Sequence, residues 1–243
     1  MILRDIKFVL EFNPNKYISE IRKVMKEKKL NEEHATQFYY KDKFQDKAVQ
    51  IRDESRCISD LYISCLGKYH TSETKEIIIH LVDELSEASL INVDGFMEVQ
   101  IIFNLEQYIS LTNHQKNQML LNIIQRATKS VGDIFEWEYQ PFQEAYNKVI
   151  EKNYENNYVW KKKVSPGRKY IAEVFCMHEI NEYLIYMIVK DYRDKNELKR
   201  ELLHRVSPHE FMFAPYLGDL KWLSDDSVAL IGENPRRQWA VNV

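Results

Sequence analysis

Glycine and proline are scarce in this chain, with six of each in 243 residues. So few glycines leave no room for the loops that bind nucleotides. There is no G-x-G-x-x-G, no G-x-x-x-x-G-K-[ST] and no G-x-S-x-G nucleophile elbow. The common nucleotide-cofactor enzymes are therefore not expected, and no cofactor is expected either. Cysteine is scarcer still. Cys57, Cys65 and Cys176 are odd in number and include no Cys-x-x-Cys pair, which argues against a secreted disulfide framework. No run reaches the 18 or so apolar residues of a membrane span. The N-terminus lacks the basic and apolar segments of a signal peptide. A cytoplasmic protein with reduced thiols and no membrane contact is expected.

Charge of one sign is also lacking: 34 Lys and Arg stand against 37 Asp and Glu, for a net charge of −3. That balance argues against a dedicated nucleic-acid binder, which carries a clear basic excess. Histidine is present seven times, but never as His-x-His or His-x-x-x-His. Read as one strand, residues 57–65 would hold Cys57 and Cys65 about 26 Å apart. No metal site is expected.

What is present is aromatic and aliphatic residue in quantity: 15 Tyr, 11 Phe and 4 Trp, with 44% hydrophobic and 29% charged residues. This is ordinary for a globular protein with a real core. Abundant Lys, Asn, Ile and Tyr point to an AT-rich, bacterial source.

Periodicity gives the elements. Ile6–Phe12 alternates and stops at Asn13-Pro14, so it reads as a strand. Tyr17, Ile18, Ile21, Val24 and Met25 recur at helical spacing. Residues 36–40, 47–52 and 57–66 read as strands, the last from the near-alternation of Ile58, Leu61, Ile63 and Cys65. Residues 75–82 and 96–103 are further β-rich runs. Thr112 and Gln115 have capping-box spacing ahead of an apolar stripe ending at Gly132, and Pro141 opens a second helix. Residues 158–164, 169–176 and 183–190 read as a meander, with 197–205 either helix or strand and three short strands closing the chain.

The fold class expected is α+β: an N-terminal mixed or antiparallel sheet with one helix, a central helical hairpin and a C-terminal antiparallel β-meander. A boundary falls near residues 151–157, giving regions 1–150 and 151–243, unless the two run together as one domain.

Two phrases in the second region stand out, Ser165-Pro-Gly-Arg-Lys-Tyr-Ile-Ala-Glu-Val174 and Leu220-Lys-Trp-Leu-Ser-Asp-Asp-Ser-Val-Ala-Leu-Ile231. Together they resemble one blade of a TolB-like propeller, over about a third of the chain. A propeller takes about four to eight blades, and the helices leave room for no more than about two. The resemblance is therefore read as shared turn chemistry, with the two turn–strand units expected side by side in one sheet.

Candidate sites follow from residue type. His204, His209 and Glu210 flank the Ser207-Pro208 turn and could converge as a hydrolase-type acid–base site. Solvated loop residues are the commoner outcome of such a pattern. His178-Glu179 would point to opposite faces of a regular strand. Lys161–Lys163 after Tyr158 and Trp160 suits either single-stranded nucleic acid or, more simply, a protected edge strand. Trp222, Asp225, Asp226, Trp160 and Tyr158 are the candidate partner-binding residues, since Tyr and Trp dominate protein–protein contacts. The function expected is a non-catalytic binding protein, of the immunity or antitoxin-inhibitor type. The alternatives are a hydrolase at His204, His209 and Glu210, or a subunit of a larger assembly.

Overall fold

Every second residue of three strands near the N-terminus is apolar, and all of these residues face one way into a common core. In chain order the N-terminal elements are β1 (Ile2–Leu3), β2 (Asp5–Leu10), α1 (Ile18–Lys28), α2 (Glu32–Tyr39), α3 (Gln45–Leu66), β3 (Tyr69–His70) and β4 (Glu76–Val82). They continue with β5 (Leu90–Val93), β6 (Phe96–Ile102), α4 (Leu105–Ile109), α5 (Asn113–Phe135) and α6 (Gln140–Glu151). The computed structural model describes residues 1–86 and 90–243. The chain divides into two compact units, Met1–Tyr154 and Glu155–Val243.

In the first unit the sheet order is β2-β4-β6-β5. Strands β2, β4 and β6 run parallel, and β5 is an antiparallel edge. The sheet is thus mixed. One face carries Ile6, Phe8, Ile77, Ile79, Leu81, Met97, Val99 and Ile101, all buried in one core with residues of α3, α5 and α6. Burying such side chains contributes about 1.5–3 kcal/mol apiece.

The other face reads differently. Lys7 pairs across with Ile78, Glu98 and Ile91, and Val9 with His80 and Gln100. Parallel strands are usually covered on both faces. Here Val9, Ile91, Val93 and Ile102 are 39%, 41%, 58% and 56% exposed.

The strands expected at 36–40, 47–52 and 57–66 are helices instead. Residues 36–39 belong to α2, Tyr40–Phe44 form a π-helical turn, and α3 runs on from Gln45 to Leu66. The buried positions Ile51, Ser55, Ile58, Leu61 and Tyr62 recur every three or four residues, so a helical stripe was present beneath the misread alternation. Cys57 and Cys65 therefore lie about 12 Å apart along a helix. Besides the hairpin, the described residues of the unit hold α1, α2, α3 and α4 where one helix is expected. The hairpin of α5 and α6 forms with the Thr112–Gln115 capping box, but α5 continues past Gly132 to Phe135 and is capped by left-handed Glu136.

Inside the helical layer sits a buried charge cluster. Glu54 of α3 accepts from Lys116 of α5 at 3.0 Å with both oxygens, from the Tyr108 hydroxyl at 2.7 Å and from Gln50 at 2.7 Å. Glu54 and Lys116 are both buried. Burial together with this carboxylate pushes the Tyr108 phenol well above its ordinary range.

The second unit comprises β7 (Asn156–Val164), β8 (Tyr170–His178), β9 (Tyr183–Asp191), β10 (Glu197–Val206), the short helix α7 (Glu210–Phe213), β11 (Asp219–Trp222), β12 (Ser227–Ile231) and β13 (Gln238–Asn242). Strands β7 to β10 form an antiparallel meander, and β11 to β13 form a second, three-stranded sheet. Ala172, Val174, Cys176, Tyr183, Ile185 and Met187 from the first sheet meet Leu220, Trp222, Val228, Leu230 and Val241 from the second in one core. The two turn–strand phrases therefore lie in different sheets, not side by side in one. They are joined instead by their turns, where the Gly167 N–H donates to Asp225 at 2.6 Å.

Candidate functional site

Where β2 and β4 end, the open face of the sheet sinks into a cleft of about 430 Å³. Ligands of open sheets with parallel strands commonly bind outside the carboxyl ends of those strands. Glu11, Phe12, Asn13 and Pro14 follow β2, Val82 to Glu84 and Ser86 follow β4, and His80, Ile91, Glu98 and Gln100 rise from the sheet. The register explains the grouping. His80 lies beside Gln100 on β6, two pairs beyond the Ile78–Glu98 pair and on the same face, and Glu11 stands just past the end of β2.

His80 is the centre of the cleft. Its Nδ1 lies 2.7 Å from Glu11 Oε1, and its Nε2 lies 3.7 Å from Glu98 Oε2. Because the two carboxylates approach opposite ring nitrogens, they share no point at which one metal ion could meet all three groups. Among the described residues no group of three or more His, Cys, Asp or Glu is arranged to hold a metal. Gln100 accepts from the Ser86 N–H and donates to the Ser86 hydroxyl, both at 2.9 Å, fixing the loop after β4 to the cleft wall. Lys16 reaches Asp83 at 2.6 Å, a contact that raises the Lys16 ammonium above its ordinary range.

Phe12 gives the cleft an aromatic wall. Its ring sits against Tyr17, Tyr39, Tyr40 and Phe44, with centroids 4.9–6.3 Å apart. The π-helical turn supplies Tyr40 and Phe44 to this cluster, and π-bulges are frequent at functional sites.

The residues expected from sequence lie elsewhere, in the second unit. His204, on β10, packs against Tyr216 and Trp239, with each ring centroid 4.1 Å away and those two rings 5.5 Å from each other. His209 is buried, caps α7 by accepting from the Phe211 N–H and stacks on Phe211. Glu210 opens that helix. His204 and His209 thus have separate tasks, one in an aromatic box and one in a cap. His178 is also buried, with Nε2 2.9 Å from the Pro208 carbonyl.

Trp222 is turned into the core, and its indole N–H donates to the Lys163 carbonyl at 3.1 Å. That leaves it little surface to offer a partner. Asp225 is committed to Gly167, while Asp226 is exposed in the β11–β12 turn. The Tyr158 hydroxyl meets that of buried Tyr183 at 2.6 Å. Trp160 lies under the Lys161 ammonium, which also pairs with Asp219 at 2.9 Å. Strand β7, with its three lysines, is an edge of its sheet.

Burial lowers the His204 imidazole below its ordinary value of 6.5. A group depressed in the folded state takes up its proton more readily when unfolded, so it favours the folded chain above about pH 6.5 and that contribution fades below it. His204→Phe, which keeps a ring in the box, is expected to flatten the fall of unfolding free energy between about pH 6.5 and 5. Urea unfolding across that range reads it, and identical slopes for the two proteins would exclude the effect.

No helix among the described residues is long and apolar enough to cross a membrane. Compared with protein families, curated proteins and solved structures, the chain matches none of them.

Proposed function

We propose that this protein is a non-catalytic binding protein that holds a second, basic protein against the open face of its N-terminal sheet. The observation that carries this reading is that face itself. Val9 and Ile102 are apolar and exposed on strands whose other face is packed, and Ile91 and Val93 are exposed on the same face of the edge strand β5. Exposed apolar side chains on a sheet face, set here around His80, Glu98 and Gln100, mark protein-contact sites. The cleft selects the partner's charge, because among the described residues it is lined by Glu11, Asp83, Glu84 and Glu98 and by no lysine or arginine. Complementary potentials steer encounter and exclude wrong partners.

An inhibitor of the immunity or antitoxin kind, which acts by covering a partner's working surface, is one form this function takes. Three cysteines without a disulfide suit a reducing compartment such as the bacterial cytoplasm.

The test is photo-crosslinking in native cells from benzoylphenylalanine placed at Val93 or Ile102, with Asp226 in the second unit as the control position. One discrete adduct from the sheet face, to a protein of basic composition, is expected. Val9→Asp is expected to abolish it. Adducts that form equally at Asp226, or none from either face position, would overturn the reading.

A further inference from the structure

We infer that the partner joins this protein by adding a strand to the free edge of β5, an inference that rests on the binding reading above. Its ground is the backbone of that strand. Asp94 and Gly95 both have positive φ, 51° and 84°, and form a two-residue turn between β5 and β6. Such a turn closes on a hydrogen-bonded pair, here Val93 with Phe96. Antiparallel pairs alternate, so Ile91 with Glu98 is hydrogen-bonded and Asn92 with Met97 is not. The N–H and C=O groups of Leu90 and Asn92 therefore point away from β6, toward a side where no strand lies among the described residues. Ile91, Asn92 and Val93 are all exposed there.

Other edges are guarded. β7 carries Lys161, Lys162 and Lys163 with one register shift, and β10 carries Lys199, Arg200 and Arg205 with two. On β2, the opposite edge of the same sheet, the Ile6 carbonyl accepts from Arg56 at 3.4 Å. Charges, bulges and covering contacts are the usual means of keeping an edge from pairing. Leu90-Ile-Asn-Val93 has no charge, no proline and no register shift. Strand addition uses such edges, with main-chain bonds for affinity and alternate side chains for specificity.

The same geometry sets what fits. Donors and acceptors that recur at every second residue match the main chain of an extended segment, not of a helix, whose groups are spent internally. Side chains of the added strand on the open side lie beside Ile91 and Val93, where apolar, β-branched residues pack best. The acidic cleft begins one strand away, at Glu98. A strand from a second copy would bring a second acidic cleft alongside, like charge beside like. A segment of the basic partner brings the opposite charge.

The test uses the full-length chain in native cells, with benzoylphenylalanine at Ile102 on β6, and reads the yield and mass of the adduct. Asn92→Pro removes an N–H that points outward, a place where strands tolerate proline, and is expected to lower the yield about tenfold. Asn92→Ala keeps that N–H and is expected to leave the yield unchanged. Ile91→Lys guards the edge without altering the backbone, and is also expected to lower the yield about tenfold. Hydrogen exchange at the β6 amides checks that the sheet is intact, and Ile91→Lys decides alone if proline loosens it. Full yield from both Asn92→Pro and Ile91→Lys, or equal losses from Asn92→Ala and Asn92→Pro, would overturn strand addition and leave the binding protein standing. An adduct of twice the chain's mass would give the edge to a second copy and overturn the inference. No adduct from the parent would remove the binding reading and this inference together.

Discussion

Lys116→Met is expected to destabilise the first unit by about 3–5 kcal/mol, the range for removing one partner of a buried ion pair. The size follows from what stays behind. Glu54 is buried and receives Lys116 on both oxygens. Without the ammonium its charge is left to the Tyr108 hydroxyl and the Gln50 amide, which are neutral donors. The three elements it joins, α3, α4 and α5, then lose their common polar anchor. Replacing both charges, as Glu54→Leu with Lys116→Met, is expected to recover most of the loss, because an apolar pair of similar volume is often neutral or better. The Tyr108 hydroxyl then loses its acceptor, so adding Tyr108→Phe should complete the recovery. Urea unfolding of the three proteins reads the series. A single variant within about 1 kcal/mol of the parent would show that Glu54 finds other partners.

The same helices show which parts of the fold could be read in advance. The α5–α6 hairpin was legible because it carries its own punctuation, a capping box at Thr112 and Gln115 and a proline at the start of α6. The C-terminal meander was legible because its turns are short and its strands alternate. Helix α3 was not. Its stripe is mixed, with Glu54, Ser55, Arg56 and Ser59 buried among Ile51, Ile58 and Leu61, so hydrophobicity alone hides the helical period. The buried polar residues are satisfied by distant elements. Arg56, for example, reaches Asp5 of β2 at 2.9 Å, and no local pattern records that contact.

The cleft was hidden for a related reason. Glu11, His80 and Glu98 stand far apart in the chain, each in an ordinary strand context, and only the parallel register sets them together. Reading β2, β4 and β6 as one parallel sheet would have been the signal, since outward charges at matching heights then fall in a row. The strands expected at 36–40, 47–52 and 57–66 hide α3, the long helix that packs on β2, and leave only the helix around Tyr17–Met25 to link β2 to the parallel β4.

Gly218→Ala tests a close approach in the second unit that no turn motif announces. Gly218 stands opposite Gly232, where β11 begins and β12 ends, and its N–H donates to the Ile231 carbonyl at 3.0 Å. A methyl group there would strike the Gly232 carbonyl oxygen, with the Gly232 carbon at 2.5 Å and the Ile231 oxygen at 2.7 Å. All three are backbone atoms fixed by the ladder, so relief requires the two strands to part. The expected loss is about 2–4 kcal/mol, at or above the usual range for overpacking. Gly167→Ala is the contrast. The three atoms nearest its added carbon all belong to the Asp225 carboxylate, from 2.9 Å, and that side chain can swing away. What is lost is one hydrogen bond from the Gly167 N–H, about 1 kcal/mol. Neither glycine uses the left-handed backbone region, so the difference isolates what the methyl group touches. Hydrogen exchange at the β12 amides provides the readout, with protection falling sharply for Gly218→Ala and little for Gly167→Ala. Equal losses would mean that the β11–β12 ladder shifts as readily as a single side chain, and that the three-stranded sheet is a loose cover for the meander beneath it.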